Sequence, residues 1–148
     1  MQLLAFVLIY PLLWFVSILP FRLLYAVSDV LYVVLYHIVG YRKQTVQENL
    51  KLVFPDKSEA ERQLITKRFY HHLCDMILEA IKSMSISVED MKARFKFTNI
   101  ELIKEFEKQN KSIVLMCAHY GSWEWIFIIQ TYVKFRGYAV YKRLNNIY

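Results

Sequence analysis

Apolar residues run without a charge from Leu3 to Phe21, interrupted by Pro11 and Pro20. A run of that length nearly matches the hydrocarbon core of a bilayer and predicts a transmembrane helix, kinked rather than ended by Pro11. No basic residue precedes it and no small-residue cleavage pattern closes it, so it reads as an anchor rather than a cleaved signal peptide. The next apolar stretch, Leu23 to Val39, differs in kind. Tyr25, Asp29, Tyr32 and Tyr36 recur at helical spacing and draw a single hydroxyl-bearing stripe. This predicts a helix lying at the membrane interface or packed on the body; a re-entrant hairpin is the alternative.

Beyond residue 40 the periodicity becomes that of a covered domain. Tyr41 to Phe54 places Val46, Leu50 and Val53 on one face and is stopped by Pro55. Ser58 and Glu61 form an S-x-x-E capping box that opens a longer helix to about Met84. Ile65, Phe69, Leu73, Met76, Ala80 and Met84 mark its predicted buried face. Residues 87 to 92 read as a polar connection. Phe95 and Phe97 alternate with charged neighbours over Arg94 to Thr98, the pattern of a half-buried strand. Asn99 is placed to cap a helix from Ile100 to Gln109.

The run Ser112 to Ala118 then reads as a strand covered on both faces. Gly121 permits a sharp turn and Ser122 is placed as an N-cap. A helix follows from Trp123 to Arg136, with Gly137 at its C′ position. Tyr138 to Lys142 supplies a last strand. Strands alternating with helices predict an α/β fold: a membrane helix followed by part of a mixed or parallel sheet with crossover helices.

Composition sharpens this picture at two points. Of 148 residues, 56% are hydrophobic, and the formal net charge is +6. Among the first 39 residues only Arg22 and Asp29 are charged, so the excess lies on the body. A basic body behind an apolar anchor favours an anionic membrane surface or acidic partners over nucleic acid. Arg22, Arg42 and Lys43 flank the apolar region and predict that the chain from residue 41 onward is cytoplasmic. Cys74 and Cys117 lack C-x-x-C spacing and read as two reduced thiols, Cys117 packed inertly in its strand. His71, His72, Asp75 and Glu79 share a helix without a second ligand group elsewhere, which favours a polar face over a metal site. No cofactor motif or glycine-rich phosphate loop is present.

The chemistry concentrates in Cys117 to Glu124, C-A-H-Y-G-S-W-E. A histidine acting as general base needs one ring nitrogen held by an acceptor so that the other is unprotonated and aimed at a hydroxyl. Glu124, five residues past His119 and across the turn at Gly121, has the reach to be that acceptor. The bare spacing equally suits a hydrogen-bonded histidine and a glutamate that complements a helix dipole.

The string A-H-Y-G-S-W-E resembles G-H-F-G-N-W-E, the signature of the lipid A biosynthesis lauroyl/myristoyl acyltransferases. Arg42, Glu48 to Leu50, Phe54-Pro55, Glu61-Arg62, Val140 to Lys142 and Asn145-Asn146 extend the match. The resemblance covers the amino-terminal half of such an enzyme, so residues 1–40 are an anchor with an interfacial helix and 41–148 the amino-terminal part of the acyltransferase domain. It implies transfer of a fatty acyl group from acyl-carrier protein to a hydroxyl of a lipid A precursor, at the cytoplasmic face of the inner membrane of a Gram-negative bacterium. It implies catalytic roles for His119 and Glu124, turn support from Gly121 and Ser122, and a supporting place for Glu79 beside the site. Lys142 and Arg143 are candidates for phosphate or carrier-protein contacts, with ordinary surface charge as the alternative. Ser122 replaces the family's usual Asn, and the usual Arg-Pro is absent around Lys142-Arg143-Leu144. A glycerophospholipid acyltransferase, which usually carries Asp where Glu124 stands, and a membrane-anchored binding protein without turnover are the alternative readings.

Overall fold

The computed structural model describes residues 2–140. Helix α1 spans Gln2–Ile18 and contains Pro11. Helix α2, Phe21–Tyr32, continues as a wider π-helical segment, Val33–Val39, closed by Gly40 in the left-handed region at φ 65°. Then follow α3 (Lys43–Val53), α4 (Glu59–Lys82), α5 (Val88–Arg94), α6 (Ile100–Lys108) and a 3-10 helix at Trp123–Thr131.

Local signals set the helix boundaries. Pro20 separates α1 from α2 because it lacks an amide proton and suits a helix start. The Ser58 hydroxyl accepts from the Glu61 amide at 3.3 Å, while the Ser58 amide donates to Glu61 Oε2 at 2.8 Å, completing the predicted capping box. α3 ends before Phe54-Pro55, as its sequence predicts.

The predicted sheet does not form. Among the described residues there is no strand. Residues 111 to 118 are irregular, and Val114 and Met116 are 89% and 90% exposed. An apolar run becomes a strand only when neighbours accept its backbone hydrogen bonds, and no described segment lies alongside to do so. The segment predicted as a strand at Arg94 to Thr98 is the end of α5 and a loop. The Ser87 hydroxyl accepts from the Asp90 amide at 3.0 Å and starts a helix where a plain connection was expected. Tyr138 to Val140 are irregular; Tyr141 and Lys142, the rest of the last predicted strand, lie outside the described residues. The helix expected over Trp123 to Arg136 is 3-10 and ends at Thr131, so Gly137 lies beyond its cap.

The order of the apolar helices also departs from expectation. Among the described residues Phe21–Val39 is the helix long and apolar enough to cross a membrane, with mean hydropathy 1.5, while the stretch before it holds a shorter apolar helix, Phe6–Ile18. α1 stops at Ile18, short of Pro20.

α4 is the spine of the molecule. Its buried residues Thr66, Tyr70, Cys74, Leu78 and Lys82 recur every fourth position. Phe69 and Met84, on the face predicted to be buried, are exposed instead. The displaced face follows from the partner: α4 packs on the polar stripe of α2, so it turns polar and aromatic groups inward. Tyr36 lies 5.2 Å from Tyr70 between ring centroids, and Tyr32 stacks on His71 at 3.6 Å. The Ser28 hydroxyl donates to Asp75 at 2.6 Å. The stripe read from the sequence of α2 is therefore its docking face, while Leu23, Val27, Val30, Val34 and Ile38 stay exposed on the other side.

Lys82, only 8% exposed, donates to the carbonyls of Ser17 at 2.7 Å and Leu19 at 2.9 Å. Carbonyls at a helix end lack intrahelical partners, and an ammonium placed there satisfies them and complements the helix dipole. This contact ties α1 to α4.

Candidate active site

The turn that carries the motif is built by Gly121, whose φ of 60° lies in the left-handed region. A side chain there would meet no atom within 4 Å, so the requirement for glycine is one of backbone conformation. His119 precedes the turn and is exposed, its ring 4.3 Å from that of Trp123. Glu124 follows in the first turn of the 3-10 helix. Its Oε2 is buried and has no hydrogen-bond partner. No hydrogen bond or ion pair joins His119 to Glu124 among the described residues.

Ser122 stands at the N-cap position, but its hydroxyl makes no capping bond. It donates instead to Glu79 Oε2 on α4. Glu79 Oε1 accepts from the Tyr25 hydroxyl of α2 at 2.7 Å, and the Glu79 carbonyl accepts from the Trp125 indole at 3.3 Å. A carboxylate has room for several donors, and here both oxygens are used. Trp125 is 4% exposed and lies edge-on to Phe21 at 6.5 Å. Tyr25, Glu79, Ser122 and Trp125, with Arg94 and Phe95, line a pocket of about 430 Å3 beside the turn. The Arg94 guanidinium lies 3.5 Å above the Phe21 ring.

Two more polar residues of α4 face α2: His71 reaches Asp29 at 3.7 Å, and Asp75 accepts from Ser28. Cys74 is buried, and burial raises its thiol pKa above the ordinary value. Cys117 is exposed rather than packed, because the strand that would have enclosed it is not formed. Lys142 and Arg143 lie outside the described residues.

Sequence reasoning gave Glu79 only a supporting place and did not find its partners. A stripe of hydroxyls on an otherwise apolar α2 was the available signal, since such groups need acceptors once buried.

An apolar pair of helices is thus braced on α4, which also holds the motif turn through Glu79. The chain belongs to the bacterial lipid A biosynthesis acyltransferase family, whose sequence profile matches residues 2–148. It is an acyltransferase, and the family together with the apolar helix Phe21–Val39 points to the membrane. No curated protein and no solved structure matches the chain significantly.

Proposed function

We propose that the protein transfers a fatty acyl group from the thioester of acyl-carrier protein to a hydroxyl of a lipid A precursor, with His119 as general base and Glu124 as its orienting carboxylate. The observation that carries this reading is the buried, unpartnered Oε2 of Glu124, one turn from the histidine. A buried acceptor left without a donor is costly, and an imidazole N–H is a donor of the right kind. Exposure of His119 accords with a site that tightens only around substrate, as catalytic hydrogen bonds often do.

In the proposed step His119 takes the acceptor hydroxyl's proton as that oxygen attacks the thioester carbonyl. A carbon–oxygen bond forms, the carbon–sulfur bond breaks, and the departing thiolate receives the proton back from the imidazolium. Glu124 fixes the tautomer and offsets the charge that develops on the ring. Lys142 and Arg143 supply positive charge for the acceptor's phosphate or for the acidic carrier protein. The basic residues Arg22, Arg42 and Lys43 favour a cytoplasmic site at the inner membrane.

The test is acyl transfer in membranes bearing the protein, with acyl-carrier-protein thioester as donor and a lipid A precursor or a glycerophospholipid as acceptor. His119→Ala lowers the rate by about 100- to 10,000-fold, the range for loss of a general base. Near wild-type transfer by this variant contradicts the assignment, and acylation of the glycerophospholipid alone reassigns the acceptor.

A further inference from the structure

Three elements meet at one carboxylate that takes no part in the proposed chemistry. Glu79 leaves α4 between the hydroxyl of Tyr25 on α2 and the hydroxyl of Ser122 in the motif turn, one on each oxygen. Its own carbonyl anchors Trp125, three residues beyond Ser122. The turn between His119 and Glu124 is thus hydrogen-bonded to the apolar helix through the Glu79 side chain, and Trp125 adds a ring contact to Phe21. Elsewhere the 3-10 helix and the residues after it are held through the amides of Lys134 and Phe135, both donating to Glu107, and through self-contacts of Gln130. Those bonds lie at and beyond the far end of the 3-10 helix, away from the turn.

We propose that Tyr25 is a positioning residue for the transfer reaction: it fixes the Glu79 carboxylate, and Glu79 in turn fixes the turn between His119 and Glu124. This rests on the general-base reading above. A carboxylate with a single partner is free to rotate about its last torsion; a donor on each oxygen leaves one orientation. Tyr25 supplies the second donor. Small displacements of a catalytic group cost about 100-fold in rate when they exceed roughly an ångström, so loss of this restraint is felt in turnover before it is felt in binding.

The proposal is tested on the full chain in membranes with a double-mutant cycle of Tyr25→Phe and Ser122→Ala, each of which removes one hydroxyl. Each single variant lowers kcat about 10-fold with KM within about twofold, and the double variant is scarcely worse than either, because both act through Glu79. Multiplicative losses in the double variant, or wild-type kcat in Tyr25→Phe, overturn the proposal. Glu79→Gln, which can still accept from Tyr25 and donate to Ser122, retains more activity than Glu79→Ala; equal losses overturn it as well.

A second measurement needs no turnover. Amide hydrogen exchange of residues 119 to 124 reads the turn directly, and Tyr25→Phe speeds it several-fold as the turn is released. Unchanged exchange overturns the mooring even where kcat has fallen. If His119→Ala transfers acyl groups normally, the general-base reading fails on its own, and the exchange rates still decide whether Tyr25 holds the turn.

Discussion

The helical platform, α1 to α4, and the arm that carries the motif, residues 111 to 140, are built on opposite terms. In the platform three helix ends are closed, two locally by a capping box at Ser58 and a left-handed Gly40, and one at long range by a lysine of α4 on the carbonyls that end α1. Tyr32, Tyr36, Tyr70 and Cys74 form a continuous core. In the arm, apolar residues that ought to be covered stand in solvent, Val114 and Met116 among them. Only Trp125 and Ile128 are buried among its described residues. A helix satisfies its own backbone and needs only one face covered, whereas an extended segment needs neighbours for both its backbone and its side chains.

The largest effect that would break this contrast is in the platform. Lys82→Met keeps the apolar stem but strips the donor from the Leu19 carbonyl, whereas the Ser17 carbonyl retains the Ser85 hydroxyl at 2.6 Å. Loss of about 2 kcal/mol is expected for a buried acceptor left unmade, read as a lowered Tm in detergent. An unchanged Tm would mean that α1 is not tied to α4 by this contact.

Thiol labelling sharpens the contrast between the two regions. Cys117 in the arm reacts readily with a maleimide, whereas Cys74 in the platform is shielded and its burial disfavours the thiolate. A rate ratio on the order of 100 is expected for thiols that differ this way in access and ionisation. Comparable rates for the two cysteines, read by mass spectrometry of the labelled peptides, would show that the platform opens as easily as the arm.

The smallest effect is on acid stability. Glu61 is held below the ordinary carboxylate range, first by the Ser58 amide and then by its hydroxyl. Its folded value is the lower one, so its contribution is complete above the unfolded value and lost as pH falls through the folded one. Acid unfolding of Glu61→Gln is therefore slightly less pH-dependent below about pH 4.5 than that of the unmodified chain. Superimposable acid-unfolding curves would remove the capping box from the account.

How much of this was legible in the residues follows from the range of each interaction. The boundaries of α3 and the start of α4 were readable because Pro55 and the Ser58–Glu61 box act within one turn. The cap at Ser87 is equally local, although the polar composition of residues 87 to 92 suits a plain connection just as well. The turn at Gly121 and the motif around it were readable for the same reason, and they led to the family that the profile match establishes. The strands were misread because β-branched, apolar composition says only that a segment would suit a sheet; whether partners stand beside it is a tertiary matter.

By itself, then, the chain order determined the end of α3, the start of α4, its apolar amino-terminal region and its reactive string, all set by near neighbours. Tertiary structure alone decided which face of α4 is buried, that Lys82 closes α1, and that Tyr25, Glu79 and Ser122 meet. Tyr25 and Glu79 are 54 residues apart, and no local rule brings a hydroxyl and a carboxylate together over that distance. Only the packing of α2 on α4 does so, because burial forces each polar group to find a partner wherever the fold provides one.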